Sequence, residues 1–120
     1  MTKRILTVLA MVSIAAMMML SSCTPAGVDC GLIGTWEYSS NMYTETWEIG
    51  ADDKFTQTIE DTDEYGAIYK VKYKGTIEKV SGKSLTIIYA DSPTVEETLE
   101  YSDLTATSVK FGGDTFTKIN

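Results

Sequence analysis

From Leu32 onward the chain alternates apolar and polar residues with a period of two, and no stretch carries a helical period. Trp36 and Tyr38 share one face of the first such segment. In the next, Tyr43, Trp47 and Ile49 lie together, with Thr44, Thr46 and Glu48 opposite. The pattern repeats through Phe55 and Ile59, then through Ala67, Tyr69, Val71 and Tyr73, whose opposite face is Lys70, Lys72 and Lys74. Leu85, Ile87 and Tyr89 continue it, with Ile88 making that segment apolar on both sides. Val95, Leu99 and Tyr101 follow, then Val109 with Phe111, and finally Phe116. Alternation rich in Thr, Tyr, Val and Ile is the signature of half-buried antiparallel strands. Between the segments stand Ser40-Asn41, 50–53, 61–66, Ser81-Gly82, Asp91-Ser92-Pro93, Ser102-Asp103 and Gly112-Gly113-Asp114. These are turn residues, which tolerate positive φ or close turns through their side chains. They recur about every 8–12 residues, the spacing of an all-β sandwich or barrel. Connections this short favour pairing between neighbours in sequence. Closing the sheet removes its exposed edges. The predicted fold is therefore all-β: an antiparallel up-and-down meander of eight or nine strands closing into a small barrel.

The amino-terminal segment is of another kind. Met1 to Arg4 form a short basic start, 5–20 carries no charge, and Leu20-Ser21-Ser22-Cys23 closes the run. A positive end, an apolar run and small residues at the cut make a secretory signal. The run is short for a membrane span, which needs about 20 apolar residues. Leu20-Ser21-Ser22-Cys23 also resembles the lipobox of bacterial lipoproteins. The resemblance implies removal of residues 1–22, a diacylglycerol on the Cys23 thiol and acylation of its new amino terminus. Such a protein sits in the cell envelope, anchored to a membrane through Cys23. Thr24 in place of Asp implies outer-membrane sorting under the enteric rule. Thr24 to Asp29 has no periodicity and reads as a tether. The predicted organisation is a signal peptide at 1–22, a lipidated cysteine and tether at 23–30, and the barrel at 31–120.

Loss of Lys3 and Arg4 takes the formal charge from −7 to −9. So negative a domain argues against nucleic acid, whose phosphates need Lys and Arg to displace counterions. With Cys23 carrying lipid, Cys30 has no partner within the chain, so no structural disulfide is expected. About 90 residues then rely on core packing alone.

Gly34-Thr35-Trp36, at the start of the first strand, resembles the Gly-x-Trp signature of the lipocalin superfamily. The run from Thr46 to Phe55, where a strand ends in an acidic turn before an aromatic-led strand, is similar to a recurring block of small bacterial lipocalin-like domains. The usual Asp-Gly of that turn is here Asp53-Lys54. The resemblance implies that Trp36 plugs the closed end of the barrel and that Lys118, on the last strand, caps it. It also implies a ligand held inside. The chain is shorter than full lipocalins, however, and an eight-stranded barrel either fills its interior or holds one small ligand.

No catalytic constellation is present: the chain has no His, and no Ser has an evident activating partner. Glu96 and Glu100 lie on a solvated face. The loop starting at Asp61 opens like a calcium loop but fails at Tyr65 and Lys72. No metal or other cofactor is expected. Glu45 and Gln57 fall on the face of Trp47, Ile49, Phe55 and Ile59. They either orient a ligand at the barrel mouth, turn outward at a bulge, or pair with a buried Tyr hydroxyl. One functional expectation is a binding module for a small apolar or amphipathic ligand, lined by Tyr43, Glu45, Trp47, Phe55, Gln57, Tyr69 and Tyr89. The alternative is a protein-binding lipoprotein of inhibitor or adhesin type, with a packed, ligand-free barrel. Its acidic loops (Asp61, Asp63, Glu64, Asp91) would meet a cationic protein partner.

Overall fold

The computed structural model describes residues 22–120, so the signal segment lies, except for Ser22, outside the described residues. Eight strands follow a single 3-10 turn at Cys30–Leu32: β1 (Gly34–Ser40), β2 (Tyr43–Ile49), β3 (Lys54–Thr62), β4 (Ile68–Ser81), β5 (Ser84–Tyr89), β6 (Glu96–Ser102), β7 (Ser108–Phe111) and β8 (Asp114–Lys118). Each pairs antiparallel with the next, and β8 returns to β1, so the meander closes into a barrel. The count is eight because residues 68–81 form one strand. A bulge between Ile77 and Lys79 shifts its register without ending it.

Alternation turns one face of every strand into a common core. Trp36 and Trp47 are direct cross-strand partners, and both are buried. Ring contacts then run across the interior, from Trp47 to Phe55 at 5.4 Å, Trp47 to Phe111 at 5.9 Å and Phe111 to Phe116 at 5.1 Å. Each such pair adds about 0.5–1.5 kcal/mol beyond the area it buries. The space left between Trp47, Phe55, Ile77 and Leu85 does not admit a water molecule. The barrel has a filled interior, not a lumen.

One end of the barrel is sealed. Trp36 is fully buried, its Nε1 donates to Leu32 O at 3.0 Å, and Lys118 Nζ lies 5.6 Å from its ring centroid. Residues 22–33 fold over this end. Val28 and Leu32 are fully buried, Cys23 N donates to Val28 O, and Ala26 N donates to Asp53 Oδ2 across the β2–β3 turn. The stretch expected to be a tether is thus packed structure. The expectation that Cys30 lacks a partner is also corrected, because Cys23 and Cys30 form a disulfide. Its local cause is the Ser22–Asp29 bridge, which with the Cys23 N–H bond to Val28 folds the chain back and brings the two sulfurs together.

Gly34 accounts for the first residue of the Gly-x-Trp motif. Its φ is 144°, and a Cβ there would come within 2.8 Å of both Asn120 O and Lys118 Cε. Positive φ is open to glycine and strained for other residues. The close approach lets Thr35 N donate to Asn120 O, and Ile119 N to Thr35 O, which seals β1 to the chain end. Gly34→Ala is expected to destabilise the fold by about 1–3 kcal/mol. An unchanged urea midpoint in the variant would refute this account of the motif.

Candidate functional site

The opposite end stays open because the strands differ in height. Pairing of β4 with β5 stops at Gly75 and Tyr89, while pairing of β4 with β3 continues to Ile68 and Thr62. On the far side β7 meets β6 only through Tyr101–Phe111 and Ser102–Lys110. A cleft of about 340 Å³ lies where β5 gives out, walled by Tyr73 of β4, Tyr89 of β5 and Gln57 of β3. The β5–β6 connection completes it with Asp91, Ser92 and Val95, and Glu97 stands at the start of β6.

Gly75 allows the packing beneath the cleft's aromatic residues. A Cβ there would lie 2.2 Å from Ile88 O and 2.6 Å from the Phe55 ring. Its missing side chain lets Phe55 lie against the backbone of β4. Phe55 in turn meets Tyr89 edge-on at 5.3 Å, and Tyr89 meets Tyr73 edge-on at 5.9 Å. The aromatic wall of the cleft is therefore fixed from below by the packed core.

A chain of hydrogen bonds joins the cleft to that core. Tyr89 OH donates to Gln57 Oε1 at 2.8 Å, and Gln57 Nε2 donates to Glu45 Oε2 at 3.1 Å. The same Glu45 carboxylate accepts from Tyr43 OH and from Trp47 Nε1, both at 2.5 Å. Three neutral donors converge on one half-buried carboxylate, and no cation pairs with it. Bonds to a charged acceptor contribute about 1.5–3 kcal/mol each, which is how this carboxylate is held on an inward face. Of the three sequence readings of Glu45 and Gln57, the Tyr hydroxyl partner is present in the geometry.

The seven candidate ligand residues divide into three pairs and one residue apart. Gln57 and Tyr89 line the cleft. Tyr43 and Glu45 sit behind it in the hydrogen-bonded chain, while Trp47 and Phe55 are buried in the packed core. Tyr69 belongs to none of them, for it projects on the overhanging β3–β4 hairpin with its OH 3.3 Å from Asp63 Oδ2. Asp63 itself closes the 61–66 turn by accepting from Tyr65 N and Ala67 N. Sequence reading missed Tyr73, Ser92, Val95 and Glu97, and placed Asp91 in a protein-binding loop and not in the cleft. Tyr73 carried a usable signal, since it shares the inner face of Tyr69 and Val71. Among the described residues, no group of His, Cys, Asp or Glu is placed to hold a metal ion. Cys23 lies at the sealed end, remote in the topology from this cleft. Comparison of the chain with protein-family models, with curated proteins and with solved structures gives no match.

The electrostatics of the open end are negative. Burial, followed by the charges of Glu97 and Glu45, neighbouring Tyr73 and the Asp91 charge, pushes the Tyr89 phenol up to about 12. The Tyr43 phenol is raised well above its ordinary value by burial first. The hydrogen bond and charge of Glu45 then add to it, followed by the charges of Asp114 and Asp61. Tyr101, at the sealed end, is raised by burial and by Asp29. A phenol whose folded pKa exceeds its unfolded value of about 10 holds its proton more tightly in the native state. Its contribution to stability is intact below about pH 10 and is lost as pH rises toward about 12. Urea unfolding followed against pH is expected to show stability falling across this window, with tyrosinate absorbance appearing together with unfolding. Stability that stays flat up to about pH 12 would overturn the assignment.

Proposed function

We propose that the mature chain is a lipid-anchored module of the cell envelope that binds a small amphipathic molecule with a cationic head in the cleft at its open end. The observation that carries the reading is the cleft itself. It reaches the size range of small-molecule sites, about 300 Å³ and upward, and it combines Tyr73, Tyr89 and Val95 with Asp91 and Glu97. No Lys lines it. Aromatic faces attract a desolvated cation, and the carboxylates at the rim raise its local concentration. The apolar remainder of the ligand rests against Val95 and the Tyr73 and Tyr89 rings. The filled interior supports a cleft ligand over one enclosed within the barrel, as in a full lipocalin.

Hexyltrimethylammonium and hexanoate, both too short to form micelles at working concentration, distinguish the charge preference. The ammonium compound is expected to raise the melting temperature and to alter Trp47 emission through the Tyr89–Gln57–Glu45 chain. The double variant Asp91→Asn, Glu97→Gln should bind it about tenfold more weakly, the loss of roughly 1.4 kcal/mol. Equal response to hexanoate, or none to either compound, sinks the proposal.

The anchor is a separate part of the proposal and rests on Leu20-Ser21-Ser22-Cys23. The Sγ of Cys23 that would carry a thioether-linked lipid is the one joined to Cys30 in the structure. The acylated chain and the disulfide-bonded chain are therefore alternative products. Cys23 is exposed at the sealed end, so an anchor there leaves the cleft facing away from the bilayer. Intact mass of the protein made with its leader is expected to show a chain starting at Cys23 and bearing acyl groups, and Cys23→Ala should release it from membranes. A soluble chain retaining the disulfide would refute the anchor and leave the cleft proposal standing.

The packed interior also favours the protein-binding alternative. A surface that supports it lies on the overhang of β4, beside the acidic loop 61–66.

A further inference from the structure

β4 is the longest strand, and its first half has a neighbour on one side only. Toward β3 its pairing is continuous from Thr76 to Ile68, whereas toward β5 it ends at Gly75. Lys74 O accepts from Ala90 N at 2.8 Å, so the peptide groups of Lys74 face the β5 side. Peptide groups in a strand point alternately to its two sides. Those of Lys72, Lys70 and Ile68 consequently face the same way, and among the described residues no strand lies there. The edge of Ile68–Tyr73 thus presents three sets of N–H and C=O groups in register for a further strand.

The two faces of this edge differ in chemistry. On the inner face Tyr69 and Val71 are 59% and 44% exposed, because the opposite wall of the barrel does not rise to cover them. Tyr65, at the hairpin tip, is 87% exposed. On the outer face stand Lys70, Lys72 and Lys74, all exposed. Among the described residues the ion pair present is Lys110–Asp103; Glu60 of β3 stands opposite Lys70, whereas Thr58 and Thr56 stand opposite Lys72 and Lys74, so the row keeps a positive excess. In a chain of formal charge −7 this is a concentrated positive row.

Lysines on an edge discourage pairing with a copy of the same edge, since β4 against β4 would set the two rows side by side. They do not discourage an acidic strand. An edge protected only against aggregation has no use for Tyr69 and Val71 uncovered beside it. We propose that Ile68–Tyr73 takes up an extended segment of a partner protein as an added strand, one in which acidic residues alternate with apolar ones. The acidic residues lie beside Lys70 and Lys72, and the apolar ones cover Tyr69 and Val71. Backbone hydrogen bonds then supply affinity, and the alternate side chains supply specificity. This edge adjoins the cleft at Tyr73, but the lysines, Tyr69 and Val71 that it uses do not line that cleft.

The test uses the protein as purified from its producing cells and three labelled peptides of equal length. One alternates Glu and Val, one alternates Lys and Val, and one is the Glu/Val peptide with alternate backbone nitrogens methylated. The Glu/Val peptide is expected to bind in a salt-sensitive manner and to slow amide exchange at Ile68, Lys70 and Lys72. Lys70→Glu with Lys72→Glu, both surface changes, should weaken it by about tenfold or more. Backbone methylation should weaken it as much again, while leaving charge unaltered. Equal binding of the Lys/Val peptide, or binding without protection of those three amides, overturns the proposal. So does self-association through the same edge.

Discussion

Closure of β1 onto β8 is the constraint on which the rest of this barrel depends. Only two residue pairs join these strands, Trp36–Lys118 and Glu37–Thr117. So short a seam needs support from side chains and from the chain ends. Trp36 supplies it by filling the sealed end, satisfying its own indole N–H on Leu32 O and offering its ring to Lys118. Gly34 removes the steric obstacle to Asn120, and the segment around Val28 and Leu32 covers what remains. A seam left open would expose edges of β1 and β8, the standing hazard of antiparallel sheets.

Filling the sealed end and the middle with rings decides where binding can occur. Short strands place Trp47, Phe55, Phe111 and Phe116 within ring-contact distance, and no water fits in the space left beside Trp47 and Phe55. An eight-stranded barrel of this kind keeps its fold by giving up its lumen. At the open end, surface is left where strand lengths disagree. The cleft and the free edge of β4 arise from the same mismatch: β5 ends at Tyr89 while β4 runs on to Ile68. Gly75 sits at the point of departure. It is flat enough to let Phe55 pack beneath and Ile88 pass alongside.

Alternation made the strands legible because each has one buried and one wetted face, which is a property of local sequence. Trp36, Trp47, Phe55 and Ile87 were assigned inward on that ground, and all are buried. Height mismatch between strands is not local. Tyr69 and Tyr73 carry identical alternation signals, yet one overhangs the rim and the other walls the cleft, because the Tyr89 ring at the end of β5 meets Tyr73 and Tyr69 lies farther out along β4. Asp91 and Val95 read as turn and strand start, and their place in the cleft depends on how β5 and β6 meet β4. The disulfide was hidden for another reason. The lipobox reading committed Cys23 to lipid, while Val28, an unremarkable residue in sequence, is the buried residue around which 23–30 folds.

Glu45 gives the clearest physical link between the core and the open end. A carboxylate on an inward face of a barrel without His or Arg nearby must be held by neutral donors. Tyr43, Trp47 and Gln57 provide them. Its charge is not cancelled by these bonds. It persists as a field that raises the phenols of Tyr43 and Tyr89, to which Glu97, Asp91, Asp114 and Asp61 contribute the same sign. In a half-buried region such a field is weakly screened compared with one in water. The Lys row of β4 lies on the outer wall and does not enter the cleft. The inner face of β4 thus looks into a negative field set by other strands, while its outer face carries lysines. A single protein can then select a cationic head at the mouth and an acidic strand at the edge, without the two competing for the same groups.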